Sequence, residues 1–504
     1  MWLPLLVVVI VVLFFFIKNK IKLKRENKRL PPGPAQLPFI GNLHQLGTLP
    51  HRSLWKLSRK HGPIMRLKLG VLPTIVISSA DAAKEVLKIH DLECCSRPAL
   101  TGPGKLSYNF LDVGFSPYGE HWGEMRKLCV LKLFNTKTIQ SFRFVREEEV
   151  GLLIDSLSQS SFSATSVDLS EMLLALPASI IFRIAFGKGF GGSGIDKAKL
   201  HRMVRKAQSV LGSFTASDFF PYIGWIVDRL TGLHAELERI FQELDDFFQL
   251  VIDEHMNGNI EQEDVVDLLL RIEKDQSDHP GSVQLTRNAI KAIIMDIFLV
   301  GIDPSTITLI WAMTELARNP RVMKKAQVEI RSACFKKGKV TEADIDQLQY
   351  LKMIVKETLR LHSPAPLLLP RETISQFKLG DYDINPKTLV QVNAWAIGRD
   401  PDYWNSPEEF FPERFSDGSI DYKGQHFEFL PFGAGRRGCP GMFLGMAMVE
   451  LALANLLCFF DWKLPDGMKE TDIDMEEVSG ITTYKKSSLK LVTMKYKGPP
   501  EDQN

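Results

Sequence analysis

Hydrophobic positions run unbroken from Trp2 to Ile17, and polarity then switches abruptly: residues 18–29, KNKIKLKRENKR, hold seven Lys or Arg and one Glu. A bilayer-spanning helix needs roughly 17 to 25 apolar residues, so this run is at the short end. A cleaved leader would place basic residues before the apolar run and small residues after it, and neither is found. The pattern predicts a single-pass transmembrane anchor over 1–17, with the basic flank and everything after it in the cytosol. Residues 18–34 form a basic linker ending in Pro31, Pro32, Gly33 and Pro34, a stiff hinge that cannot continue a helix. The remaining residues, 35–504, show no low-complexity linker and no internal repeat. One large domain is therefore expected, although length alone would suggest about three.

Within that domain, IMRLKLG and LPTIVISS around Gly70 alternate as a strand pair. From about Pro117 to Pro364 the spacing of apolar residues is helical, and short strands follow in KLGDYDINPKTLVQVN. The stretch from Gly441 to Phe460 is helical and almost wholly apolar. Glu450 and Asn455 inside it argue for a buried core helix rather than a second membrane span, because polar groups within a bilayer are costly. The class is mainly α with minor β. One helix carries a fault: in FLVGIDPSTITLIWAM, Phe298 to Met313, apolar residues continue on both sides of Pro304. Proline has no N–H to give to the carbonyl of Val300, a loss of about 3 kcal/mol in an ordinary helix interior.

Composition narrows the possible roles. The net charge is +2, and the basic linker alone carries +6, leaving −4 for the rest. No global basic surface speaks for nucleic acid. Six cysteines without a CxxC pair or a disulfide-scaffold spacing fit a reducing compartment.

The strongest chemical signal is PFGAGRRGCPG, Pro431 to Gly441. Glycines let a backbone approach a flat ligand and adopt positive φ. Cys439 would project its sulfur from a tight loop just before the long apolar helix, where a helix N-terminus favours the thiolate. A lone thiolate on such a loop suits a metal with one protein ligand, since no nearby His or Cys completes a zinc site. Taken alone, a cysteine on a glycine-rich turn is more often structural.

The stretch resembles the haem-binding signature of the cytochrome P450 family, with Phe432, Gly435, Arg437, Cys439 and Gly441 each in place. The resemblance extends over essentially the whole chain and is nearest to the plant microsomal A-type branch. It implies the P450 fold, with haem b as cofactor and Cys439 as the proximal iron ligand. Arg437 would pair with a haem propionate, and Phe432 would pack beside the thiolate. HWGEMRK resembles the family's W-x-x-x-R helix, so that Trp122 and Arg126 would also meet a propionate, as would Arg371 in LLLPRET. Glu357 and Arg360 of KETLR, with Arg414 of FFPERF, match a buried structural network.

The same resemblance returns to the proline. The family's central helix usually reads A/G-G-x-D/E-T-T/S; here Val300, Gly301, Ile302, Asp303, Pro304 and Ser305 stand in its place. Gly301 would leave room beside the iron, and Asp303 is the expected acid. Pro304 replaces the alcohol that orders proton-delivering water. Three readings stay open. Ser305, Thr306 or water takes over the proton delivery and the protein is a monooxygenase. Or it does not split O2 and dehydrates an aldoxime to a nitrile, as some members do. Or the proline is a tolerated kink. A haem protein that senses rather than catalyses is the alternative of another class.

The implied partners are an NADPH-cytochrome P450 reductase, through which NADPH acts indirectly, and a small hydrophobic substrate. Lys127 and Arg436 are candidates for a basic docking face. The implied location is the endoplasmic reticulum membrane. Substrate contacts would come from Arg97 to Phe115, Val300 to Pro304, APLLLP and SGITT.

Overall fold

The computed structural model describes residues 30–161, 166–187, 197–212, 215–257, 263–278, 284–334 and 337–498. The expected anchor over 1–17 and the basic stretch 18–29 lie outside the described residues. The helices that build the site are α1 (Glu120–Leu128), α2 (Leu169–Phe186), α3 (Gly224–Leu230), α4 (Leu233–Asn257), α5 (Arg287–Arg318), α6 (Gln349–Leu361) and α7 (Met442–Phe459). Strands β1 (Ile64–Leu69), β2 (Leu72–Ile77), β3 (Arg371–Glu372) and β4 (Leu389–Val392) form one sheet in the order β1-β2-β4-β3.

β1 and β2 pair antiparallel from Ile64↔Ile77 to Leu69↔Leu72, so the strand pair read around Gly70 is present. Gly70 is required there: its φ is +59°, and a Cβ would lie 2.4 Å from the carbonyl oxygen of Phe219. The Pro-rich hinge docks on the outer strand, with Arg66 N–H donating to Pro32 O at 2.8 Å.

Among the described residues from 117 to 364, the regular elements are helical with one exception. Ser166–Asp168 is a strand against Lys490–Lys495, which also pairs with Phe460–Lys463. Three residues carry no readable period, and their partner lies near the far end of the chain.

α7 is a core helix. Among its last residues, Asn455 Nδ2 donates to Val340 O (3.0 Å) and Leu451 O (2.9 Å), and Asn455 Oδ1 accepts from Val340 N. A polar side chain satisfied by protein in this way belongs in an interior, not in lipid.

α5 is the long central helix, about 48 Å by its 32 residues. Thr286 caps it by accepting from Ala289 N. It packs on α2 and α7 and is buried around most of its circumference. The helix passes through Pro304 without a break. Hydroxyls bond back along it: Thr306 Oγ1 to Ile302 O (3.1 Å) and Thr308 Oγ1 to Pro304 O (2.7 Å). Packing on both sides holds the helix where propensity alone would end it.

α6 supplies the other fixed point. Arg360 donates twice to Glu357, Nε to Oε2 and Nη2 to Oε1, both at 2.8 Å. Arg414 Nε and Phe411 N also donate to Glu357 Oε1. The remaining Arg360 donors reach Gly398 O, Pro407 O and Glu409 O. Every charge is paired and hydrogen-bonded, so the network ties α6 to the 398–414 segment. Glu357→Ala would leave two guanidinium groups buried without a carboxylate. It is expected to cost about 3–5 kcal/mol, seen as a lowered urea midpoint and little folded protein recovered.

Candidate active site

The loop before α7 places Cys439. Cys439 N donates to Phe432 O at 2.9 Å, which closes the loop and brings the thiol beside that ring's residue. Gly435 has φ +68°, and a Cβ there would fall 2.3 Å from Leu87 O and 2.6 Å from Asp91 Oδ1. Only glycine fits. Burial pushes the Cys439 thiol above its ordinary range, while the Gly441 amide and the Arg126 charge oppose that. Arg126 is fastened to the same loop, Nη2 donating to Gly438 O at 2.6 Å.

Around this loop the structure gathers guanidinium groups. Arg437 stacks over the Trp122 ring of α1 at 4.0 Å from its centroid. It donates to Cys95 O (2.7 Å), Val113 O (3.3 Å) and Ser116 O (2.7 Å). Trp122 Nε1 donates to Val113 O at 3.2 Å. Arg371 on β3 donates to Asp91 Oδ1 (2.7 Å) and Ala434 O (2.8 Å). Arg97 donates to Gly114 O at 3.0 Å and to Leu369 O and Pro370 O at 2.8 Å each. Burial, and then Arg437 and Arg371 as like charges, hold Arg97 well below its ordinary value. Burial likewise lowers Arg437 to about 10.

Among the described residues, Asp91 is the one carboxylate that ion-pairs with this group, and it serves Arg371 and the more exposed Arg436. Arg97, Arg126 and Arg437 are held by carbonyl oxygens alone. Carbonyls solvate a guanidinium but do not neutralise it, so the cluster is suited to an anionic ligand. Beside a glycine-cradled thiol, that is the donor set that fits a haem: sulfur for iron, cations for propionates.

α5 presents a more exposed stripe at i, i+4 and i+8. Asp296 and Pro304 are partly exposed, and Val300 is 49% exposed on a helix otherwise buried there. Gly301 abuts Ile181 of α2: a Cβ would come 3.0 Å from its Cδ1. Asp303 is buried, one residue off the stripe. Ser305 is buried and turned toward α7, its Oγ 3.7 Å from where a Cβ on Gly445 would stand. The hydroxyl after Pro304 thus points away from the stripe, and the next one, Thr306, is bonded to Ile302 O.

Three residues had no signal of their own in the sequence. Arg97 was read only as the start of a cavity loop, because its carbonyl partners lie 17 to 273 positions away. Asp112, in the loop that carries Val113, Gly114 and Ser116, and Asp296 of α5, which accepts from two of that loop's amides, are the others. That loop also holds three successive residues at positive φ: Tyr108, Asn109 and Phe110. The conformation costs about 1–2 kcal/mol per residue. Part of what holds it is Tyr108 Oη donating to Asp245 Oδ1 of α4 at 2.8 Å, an oxygen that also pairs with Lys291 of α5.

The family model described as cytochrome P450 matches residues 31–491. The Arabidopsis thaliana protein named cytochrome P450 71B34 is 54% identical over 479 residues, covering 95% of this chain and 96% of that protein. Cytochrome P450 71B36 of the same plant is 54% identical over 94% of this chain and 95% of its own. Among solved structures, a zebrafish cytochrome P450 with abiraterone superposes with a TM-score of 0.76. It is 23% identical and covers 90% of this chain and all of that one, a likeness of fold.

Cys439→Ser is expected to abolish the thiolate signature in the spectrum of the reduced, carbon-monoxide-bound protein. Arg97→Leu should keep that signature but speed haem transfer to an acceptor globin by about tenfold or more, given roughly 1.5–3 kcal/mol for a hydrogen bond to a charged group.

Proposed function

Because the chain belongs to the cytochrome P450 family, with haem b as its cofactor and NADPH supplying electrons through a reductase, we propose that it places one oxygen atom of O2 on a small hydrophobic substrate. The observation that carries the reading is the juxtaposition of the Cys439 thiol with guanidinium groups that hydrogen-bond carbonyl oxygens and no carboxylate. Bound there, with Cys439 as the sulfur that would hold its iron, haem would supply the chemistry that activates O2. The residues of the chain do the rest. Gly441 N–H and Arg126 favour the negative sulfur. Arg97, Arg126, Arg371 and Arg437, with Trp122, would hold the propionates. Val300, Gly301 and the apolar segment Leu367 to Leu369 seat the substrate and exclude water.

Proton delivery has to differ from that of a threonine-bearing helix. Pro304 offers neither hydroxyl nor N–H, and Ser305 and Thr306 are turned or bonded elsewhere. Val300 O, which residue 304 cannot serve with an N–H, is the acceptor that holds a proton-carrying water in their place. The same missing hydroxyl favours a second reading, dehydration of an aldoxime (R–CH=N–OH to R–C≡N and water), which consumes no O2.

The test is product analysis in microsomes with a reductase and NADPH, offering unoxidised terpenes and aromatics alongside aldoximes. A product that has gained oxygen and is absent without O2 is expected. A nitrile formed equally well without O2 would replace the first reading with the second. Spectral binding with no turnover of any kind would leave a haem sensor.

Attachment to the endoplasmic reticulum membrane is the reading of the amino terminus, and an exposed apolar face supports it. Tyr222, Ile223, Trp225 and Leu230, in and before α3, are 50–87% exposed. Val71 N donates to Phe219 O, which brings this face beside the β1–β2 turn and near exposed Phe39, whose neighbour Ile40 accepts from Gly70 N. An apolar face of this size near the start of the folded chain suits a lipid surface. A protein starting at residue 30 is expected still to sediment with vesicles, and Tyr222→Ser with Trp225→Ser and Leu230→Ser to release it by about tenfold or more, at roughly 25 cal/mol per Å² of apolar surface.

A further inference from the structure

The loop of residues 107–116 is gripped from both sides of its peptide planes. Its carbonyls face the cations: Val113 O takes Trp122 and Arg437, Gly114 O takes Arg97, and Ser116 O takes Arg437. Its amides face two carboxyl groups. Asp296 Oδ2 of α5 accepts from Val113 N (2.8 Å) and Gly114 N (3.2 Å), and Asp112 Oδ2 accepts from Phe115 N (2.8 Å). A Cβ on Gly114 would lie 3.2 Å from Asp296 Oδ1 and 3.4 Å from Asp112 Oδ2, so the glycine lets both carboxyl groups close on one peptide. Asp112 is 1% exposed, and its other oxygen, Oδ1, meets no donor among the described residues. Asp112 is thus a buried carboxyl group with one oxygen lacking a donor, and its other oxygen closes with Asp296 on the same peptide; two carboxylates so placed are unfavourable unless they hold a proton between them.

We propose that Asp112 and Asp296 share one proton, and that this acid–carboxylate pair is the clasp that positions the 107–116 loop, and through its carbonyls Arg97, Trp122 and Arg437. Asp112 carries the proton and donates it to Asp296, which has two amide donors to stabilise its charge. The inference rests on the haem assignment only for the role of the cations.

Burial, and then the charge of Asp296, raise Asp112 well above the ordinary carboxylate range. Among the described residues, the other groups facing the pair are Arg97 and Arg437, both cationic, and Cys129, whose thiol burial and Asp296 keep protonated. The unfolded chain loses the proton at ordinary carboxylate pH. The contribution of the shared proton is therefore full below that pH and is lost as pH rises through the raised value of the folded pair.

Two measurements on the haem-bound protein test this. In infrared difference spectra near neutral pH, the carbonyl stretch of a protonated carboxylic acid should be present and should vanish in both D112N and D296N. Each amide would replace one carboxyl and leave its partner ionised. A band that survives in D296N means that Asp112 is protonated by burial alone. A band unaffected by either variant means that both are ionised. Either result overturns the sharing. Haem loss to an acceptor globin should accelerate with rising pH, approaching about tenfold per pH unit, the limit for one proton. D112N should remove that dependence while keeping haem at low pH. If wild type and D112N follow the same pH curve, the pair does not position the cradle, whatever the infrared shows.

Discussion

A guanidinium taken out of water has to be solvated by something else, and in this protein much of the architecture around the thiol loop follows from that requirement. Arg97, Arg126 and Arg437 are satisfied by carbonyl oxygens of residue 95, of 113, 114 and 116, of 369 and 370, and of 438. Each of those segments must turn its peptide planes inward, and their amides then need acceptors of their own. Asp112 and Asp296 meet that need for three consecutive amides. The cations, the loop and the carboxyl pair are thus one structure, joined by peptide groups that donate on one side and accept on the other. An anionic ligand entering beside Cys439 would complete the charge balance that carbonyls leave open.

The central helix answers to a different constraint. Its ends and flanks are packed against α2 and α7, so its path is set by neighbours and not by its own hydrogen bonds. That is why Pro304 is accommodated without a break. The substitution changes chemistry more than architecture: it removes a hydroxyl and leaves the carbonyl of Val300 without an N–H from residue 304. Because the helix hardly moves, Ser305 and Thr306 stay where helical geometry puts them and do not swing into the vacated role.

The distribution of polar groups in α6 and α7 separates scaffold from site. Glu357, Arg360 and Arg414 are saturated by one another and by carbonyls, with no donor or acceptor directed at a ligand. They hold one shape. Arg97 and Arg437 are solvated but not neutralised, and the Cys439 thiol has an amide and a cation near it. Incomplete compensation marks the site, and complete compensation marks the frame.

How much of this was legible in the chain depends on how local each signal is. The strand pair at Gly70, the apolar helix before Phe460, the thiol loop and the faulted helix are written in consecutive residues, whose spacing alone prescribes strand, helix or turn. The loop that resembles a haem-binding signature could be recognised at Cys439 because its glycines and arginines are neighbours in sequence. Arg97, Asp112 and Asp296 could not be recognised, since the contacts that join them into one cradle run between segments far apart in the chain. Their meaning comes from partners up to 273 positions away and from the dry environment that makes each unpaired charge costly. Sequence by itself determined the fold class, the candidate thiol for a metal and the departure at Pro304. Only the tertiary structure decided which charges are left uncompensated, because compensation is a property of what lies across space from a group and not of what lies beside it in the chain.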